Sequence, residues 1–270
     1  MLIGNRSLVV ACVILAAFIV LALIAQLSGA NSQAMATGQR LQPPSFAHWF
    51  GSDRLGRDIF ARVALGTSAS LAVGAAVACA ACLIGTILGL LAGYFRSLDK
   101  IVMRVMDGIM AVPAIMLAIA TISVAGASIT SVVLAIASHE VPRVARLIRS
   151  SVLSMREEPY VEAARLLHSS SYSIMLGHML PGVLGSLAVL GTYVAANAML
   201  LEATLSFLGC GLPPDVPTWG NIMADGRILF RLAPWIVLFP GIMLAIAVLA
   251  INLLGDGLRD RFDPGNERVV

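Results

Sequence analysis

The chain has 270 residues, of which 59% are hydrophobic and only 12% are charged, with a net charge of +3. Soluble domains average about 25% charged residues, so this composition indicates an integral membrane protein. The small net charge and the 6% aromatic content argue against nucleic-acid binding, which relies on basic patches and stacking side chains.

Long apolar segments predict an all-α, polytopic membrane protein with six transmembrane helices. Crossing a bilayer takes about 20 mostly apolar residues in a helix. Five segments lack Asp, Glu, Lys and Arg, and a shorter sixth contains His139 and Glu140. The predicted spans are residues 8–25, 71–95, 108–124, 129–142, 183–201 and 232–254. We expect residues 1–270 to form one transmembrane domain.

The distribution of Lys and Arg predicts that both termini lie in the cytoplasm. With six spans, 12 of the 18 basic residues fall on the side of the N-terminus, and cytoplasmic loops are the more basic ones. The first apolar run covers 18 residues, longer than the core of a signal peptide, so we favour a retained anchor over a cleaved one.

Within the second predicted span, Gly85, Gly89 and Gly93 recur every four residues. Small residues at this spacing form a smooth helix face that another backbone can approach closely. We predict a tight helix–helix contact there, within the chain or with a partner. The alternative is that glycine is simply frequent in membrane helices.

Three acidic residues lie in or beside the predicted spans. Asp107 is expected at the cytoplasmic interface near Arg104, and Glu140 is expected to pair with Arg143 one turn away. Glu202 lies near the outer end of the fifth span. Because ionisable groups are costly in a bilayer, each should have a partner or an interfacial position. No His- or Cys-rich cluster predicts a metal site.

Residues 157–181 form a polar segment in an otherwise apolar chain. Glu157, Glu158 and Pro159 are typical of a helix start. The serines after His168 can cap a second helix that runs from about residue 172 to residue 180. The segment predicts a cytoplasmic helix–turn–helix between spans four and five. It would either rest on lipid headgroups or dock into a cleft of a soluble partner.

The stretch "EAARLLHSSSYSIMLGHMLP" resembles the EAA loop of bacterial ABC-importer permeases. Glu-Ala-Ala, an Ile and Leu-Pro stand at the family's spacing, but His168 occupies the position of the family's Gly. Three more segments, residues 48–63, 205–223 and 252–264, resemble the dipeptide/oligopeptide/nickel branch of that family.

The resemblance implies a permease domain that is one of two related membrane subunits of an importer in the bacterial inner membrane, in contact with lipid. Two cytoplasmic ATPase subunits or domains would bind ATP and Mg, and an extracytoplasmic binding protein would deliver substrate. This chain would hold no cofactor and would not be an enzyme, since it lacks a phosphate-binding loop. The residues implied in ATPase coupling are Glu162, Ala163, Ala164, Arg165, His168, Ile174, Leu180 and Pro181.

Alternatives remain for the function. Peptide is the first expectation for the substrate, and nickel or a nickel chelate is the second. An ion-coupled secondary carrier would need titratable groups in successive spans, and a membrane-embedded enzyme would need a catalytic pair. The sequence shows neither.

Three local expectations follow from residue types. His168 should adopt the left-handed conformation that Gly usually supplies at a helix end. In the outer loop at residues 29–66, Phe46, Trp49 and Phe50 lie near three arginines. They predict an interfacial helix or a contact with a binding protein. Residues 209–221 should form a rigid loop over the outer mouth.

Overall fold

In the computed structural model, residues 2–28 and 34–262 are described, and their regular structure is helical. The helices are α1 (Leu2–Leu27), α2 (Ile59–Tyr94), α3 (Arg96–Met110), α4 (Ala114–Ala125), α5 (Ile129–Met155), α6 (Pro159–Leu166), α7 (Ser171–Ile174), α8 (Leu180–Phe207), α9 (Trp219–Gly226) and α10 (Trp235–Phe262). A π-helical turn, Met175–Met179, joins α7 to α8 without a break. The chain is therefore an all-helical, polytopic membrane protein.

Four continuous helices in the described ranges are long and apolar enough to cross a membrane. They are Arg6–Leu27, Ile59–Tyr94, Ser171–Phe207 and Trp235–Phe262. They contain the predicted spans 8–25 and 183–201, all but the last residue of the predicted span 71–95, and all but the first three residues of the predicted span 232–254. The bent pair of α3 and α4 is a fifth candidate.

The predicted span over residues 108–124 contains a sharp break. The chain leaves α3 at Met110, turns by 90°, and enters α4 at Ala114. Pro113 explains the break, because proline lacks an N–H group and disfavours a helical conformation in the residue before it. α3 has charged residues along one side and exposes Leu98, Ile101 and Val105.

The predicted span 129–142 falls within α5, which continues through Pro142 to Met155. This helix has 27 residues, enough to cross a bilayer. Its arginines lower its hydropathy, so it is not among the apolar candidates.

Helices α2 and α5 meet at three glycines. A Cβ atom added to Gly85 would lie 2.5 Å from the Cβ of Val144, and one on Gly89 would lie 2.7 Å from the Cβ of Ile148. The same distance for Gly93 and Val152 is 2.7 Å. All three distances are shorter than real Cβ contacts, so a glycine is needed at each position for the helices to touch.

Gly74 lies in α2 about three turns before Gly85 and contacts a different helix. Its added Cβ would lie 2.7 Å from the Cγ of Met199 on α8. Gly74 is therefore not part of the contact that Gly85, Gly89 and Gly93 make with α5. One turn of the glycine-rich helix packs on α8, while the later turns pack on α5.

A second apolar cluster lies at the end of the fold where α9 sits. Trp219 of α9 is fully buried, and its ring lies 5.5 Å from that of Phe18 on α1. Its indole N–H donates to the carbonyl oxygen of Val63 on α2 over 3.2 Å. Trp219 thus connects the segment before α10 to both α1 and α2.

Replacing Gly89 with Ala should destabilise the fold, because the new methyl group overlaps Ala145 and Ile148 of α5. Overpacking of this kind costs about 1–3 kcal/mol. The matched control is Gly108→Ala in α3, where a Cβ meets nothing within 4 Å. Thermal unfolding of both variants in detergent measures the difference, and equal midpoints would contradict the packing account.

Candidate functional site

The helix–turn–helix at residues 157–181 is fixed to the protein by its inner face. α6 begins at Pro159, which tolerates the first helical position because no N–H is needed there. Val161 and Ala164 of α6 and Ile174 of α7 are buried in the main apolar cluster. This segment is thus packed against the helical bundle and is not a loose linker.

His168 supplies the turn between α6 and α7. Its φ angle is +57°, which confirms the expected left-handed conformation. The His168 N–H donates to the carbonyl of Arg165 over 3.0 Å, and the Ser169 N–H donates to that of Ala164 over 3.1 Å. These two bonds form a Schellman motif that usually contains Gly. His takes this conformation more readily than most residues with side chains.

The second helix begins as expected but ends differently. The Ser170 hydroxyl accepts a hydrogen bond from the Ser173 N–H over 3.2 Å and caps α7. The expected boundary at Pro181 is wrong, since the helix continues through it from Ser171 to Phe207. The π-helical turn Met175–Met179 directly precedes Pro181, and the wider turn accommodates the proline ring and its missing donor.

The outer face of the helix–turn–helix combines a carboxylate with large apolar side chains. Glu162 and Ala163 are exposed, and within the described residues Glu162 forms no side-chain hydrogen bond or ion pair. Leu166, Leu167 and Tyr172 are 74%, 80% and 70% exposed. Sequence reasoning did not predict the exposure of these three side chains. The Leu-Leu pair before a polar turn was the available signal.

Arg165 points away from Glu162. Its guanidinium lies 5.4 Å from the ring centroid of Tyr94. A cavity of about 430 Å³ opens at this contact. Its lining is strongly basic and consists of Tyr94, Arg96, Arg156, Glu157 and Arg165.

Arginines on successive turns of α5 pair with acidic residues. Arg149 donates two hydrogen bonds to Asp99 of α3, and Arg146 donates one to Asp107 over 2.6 Å. Asp107 of α3 therefore has its ionic partner on α5, a contact that the sequence did not predict. These pairs connect α3 to α5.

Glu140 forms a buried polar cluster with α8. Its carboxylate accepts from Arg143 over 3.1 Å, as expected, and from the amide of Asn197 over 2.6 Å. The guanidinium of Arg143 lies 5.1 Å from the ring centroid of Tyr193. Glu140 is fully buried, whereas the Arg143 side chain is 37% exposed. Sequence reasoning did not connect α5 to Asn197 or Tyr193.

A buried ion network joins the loop before α2 to α9. Asp53 accepts from Arg57 over 2.5 Å and from Arg62 over 3.1 Å. Both arginines also donate to Asp225, each over 2.9 Å. Asp53, Arg57 and Arg62 are buried, so the charges compensate one another in a low-dielectric environment.

The expectation of an interfacial helix in the described part of residues 29–66 is wrong. Apart from the short 3₁₀ turn Thr37–Gln39, residues 34–58 are irregular. The side chain of Asp58 caps α2 by accepting from the Ala61 N–H over 2.8 Å and also contacts His48 over 2.7 Å. Phe50 stacks on Phe239 with a centroid distance of 4.2 Å, so it packs within the protein.

Residues 209–221 are held by two polar side chains. The Asn221 amide donates to the carbonyl oxygens of Leu212, Pro213 and Val216. Glu202 of α8 accepts from Thr218 over 3.0 Å and is buried. Glu202 is therefore an internal link between α8 and this loop.

The described helices define a polytopic membrane protein with a packed helix–turn–helix outside its apolar segments. Residues 85–268 match the family described as "binding-protein-dependent transport system inner membrane component". The chain belongs to this family, and it is a multi-pass protein of the bacterial inner membrane with a role in transport. Among the described residues, no group of three or more His, Cys, Asp and Glu side chains is arranged to hold a metal ion.

The relatives extend over almost the whole chain. A putative peptide transport system permease protein of Brucella abortus is 45% identical over 97% of this chain and 89% of its own length. A dipeptide transport system permease protein of Alkalihalophilus pseudofirmus is 41% identical over 96% and 86%. A glutathione transport system permease protein of Escherichia coli is 43% identical over 82% and 73%.

Replacing His168 with Gly should preserve the turn and raise stability by less than about 1 kcal/mol, because the left-handed strain disappears while the unfolded chain gains freedom. His168→Val should weaken the turn, since a β-branched residue is strongly disfavoured at a φ of +57°. Hydrogen exchange at the amides of residues 168 and 169 measures turn opening. Equal protection in both variants would contradict the assigned motif.

Replacing Asp53 with Ala should cost about 3–5 kcal/mol, because it removes the buried partner of two buried arginines and leaves them only the partly exposed Asp225. The control is Arg54→Ala, whose side chain is 53% exposed and lies 4.0 Å from Asp225. Removing such an exposed pair costs about 0–1 kcal/mol. Denaturation of both variants in detergent compares them, and a loss of stability in Arg54→Ala as large as in Asp53→Ala would refute the network's role.

Proposed function

We propose that this chain is the membrane subunit of an ATP-driven importer for peptides. Membership of the binding-protein-dependent family supports the role in import. The names of relatives that are 41–45% identical support peptide as the substrate class. A second related permease would complete the path, and an extracytoplasmic binding protein would deliver the peptide.

The helix–turn–helix is the coupling element in this proposal. Its exposed face offers Glu162, Leu166 and Leu167 to a cleft on a cytoplasmic ATPase subunit, while Ala163 permits close approach. Its inner face is buried through Val161 and Ile174, so a push on α6 is delivered to the bundle. Two ATPase subunits would bind ATP and Mg and supply this push.

Other residues implied in coupling have distinct positions. Ala164 and Ile174 pack inside, and Arg165 lies on Tyr94 beside the basic cavity. His168 fixes the angle between α6 and α7. Leu180 and Pro181 lie where α7 continues into α8, so they connect the coupling segment with a membrane helix.

We further propose six spans with both termini in the cytoplasm, in one permease domain. The count adds α5 to the four apolar helices and the bent pair of α3 and α4. Three arginines lower the hydropathy of α5, but each has an acidic partner. Paired charges are less costly in a membrane protein than isolated ones.

The alternatives have less support. A nickel importer of the same family would share the fold, but the relatives described above carry the names of peptide, dipeptide and glutathione transport systems. An ion-coupled carrier would not need an exposed docking segment. The observation that carries the proposal is the helix–turn–helix, buried on one face and exposed through Glu162 and two leucines on the other.

Replacing Glu162 with Lys should abolish copurification with the ATPase and peptide uptake, because it reverses the charge at the centre of the exposed face. Membrane insertion should be unchanged. The control is Asp260→Lys, which reverses an exposed carboxylate near the end of α10. Pull-down and uptake assays compare the variants, and undiminished uptake in Glu162→Lys would rule out the docking role.

A further inference from the structure

A groove of about 710 Å³ follows one face of α8. It extends from Pro181, next to the coupling segment, to Tyr193, and Ser186 lies between them. At 1.5 Å per residue this distance along the helix is about 18 Å. Leu147 of α5 and the end of α10 form the opposite wall.

The polar cluster of α5 and α8 lies at the Tyr193 end of this groove. Arg143 stacks on Tyr193 and donates one hydrogen bond to the buried carboxylate of Glu140. A guanidinium has five N–H donors. The guanidinium of Arg143 therefore has donors left over beside Tyr193, which lines the end of the groove.

The polar cluster lies beside an apolar helix segment, and this position decides whether the groove can be in contact with lipid. Tyr193 and Asn197 belong to the apolar segment 183–201, which contains no Asp, Glu, Lys or Arg. A partly exposed guanidinium beside this segment would be costly in lipid, so ionisable groups at such positions face water or protein. The groove face of α8 therefore does not face the acyl chains.

The opposite face of α8 differs in composition. Leu184 is about 200° around the helix from Ser186 and is half exposed. It lies on the side away from the groove and has the character expected of a lipid-facing residue. The two positions are two residues apart and form a matched pair for testing solvent access.

We propose that the groove is the water-filled half of the peptide path next to the coupling segment, with Arg143 at its head as a residue that contacts the substrate. This inference rests on the proposed function and deepens it. The ligand is a peptide in transit, whose carbonyl and carboxylate oxygens accept hydrogen bonds from the guanidinium. Ser186 and Tyr193 line the same path.

Thiol labelling of the assembled importer tests solvent access. The four native cysteines are first replaced by Ser, and Ser186→Cys or Leu184→Cys is then introduced. A charged methanethiosulfonate reagent is added to inside-out vesicles. Because thiolates react in water, we expect Ser186→Cys to be labelled at least about tenfold faster than Leu184→Cys. Labelling of Ser186→Cys should also block uptake.

Four outcomes separate the groove assignment from the proposed function. Equal labelling at the two positions contradicts a wet groove opposite a lipid face. A thiol at position 186 that reacts only after the second permease is removed identifies a subunit interface instead. If no ATPase or binding protein copurifies, the proposed function itself fails. If partners assemble and uptake proceeds while position 186 stays unreactive, only the groove assignment fails.

Substitution of Arg143 tests its contact with the substrate. Arg143→Gln should lower peptide uptake about tenfold while ATPase stimulation by the loaded binding protein is retained, and Arg143→Lys should restore part of the uptake. Arg146→Gln is the control, because Arg146 pairs with Asp107 and does not contact Tyr193. Equal losses in Arg143→Gln and Arg146→Gln, or a parallel loss of ATPase stimulation, would refute the substrate contact.

Discussion

The close approach of α2 and α5 is the contact on which the rest of the structure depends. Three glycines allow the two backbones to meet where any side chain on α2 would overlap Val144, Ile148 or Val152. In a bilayer, such contacts replace the hydrophobic effect as the source of helix association. They also hold a helix with several arginines beside an apolar one. The charges of α5 consequently lie at fixed positions, where acidic residues of α3 meet them.

The opposite ends of the molecule use different chemistry. Near α9, a buried ion network and the indole of Trp219 connect the loop before α2 with the segment before α10. At the helix–turn–helix, apolar anchors such as Val161 and Ile174 hold the segment, and its polar groups remain outside. The ion network and Trp219 hold the segment that contains α9 in place. The apolar anchors of the helix–turn–helix leave its polar surface available for a partner.

Local physics explains which features the sequence could predict. Apolar length indicated the long helices, and the spacing of glycines indicated a contact face. The position of His168 before three serines predicted a left-handed turn with a serine cap. Each of these depends on neighbouring residues. Pro113 is a signal for a bend, but hydrophobicity continues across it, so the sequence alone did not predict a complete break into two helices.

Contacts between distant residues could not be derived in the same way. Arg57 and Asp225 are 168 positions apart, and composition alone placed the arginine at a lipid interface. Asn197 and Glu140 meet across two helices 57 positions apart. A single sequence does not specify such pairs, because they arise only when the helices pack. The exposure of Leu166 and Leu167 was not predicted, because periodicity over the eight residues of α6 defines a helix face poorly.

The absence of a break between α7 and α8 has a mechanical consequence. The continuous helix from Ser171 to Phe207 has 37 residues and is about 55 Å long. In the proposed coupling this helix moves as one rigid body. One end belongs to the helix–turn–helix, and near the other end Glu202 accepts a hydrogen bond from Thr218. A tilt of about 5° displaces one end by about 5 Å relative to the other, given that length. The π-helical turn Met175–Met179 lies near the α7 end of this helix, so a displacement that passes along the helix from α7 goes through that turn.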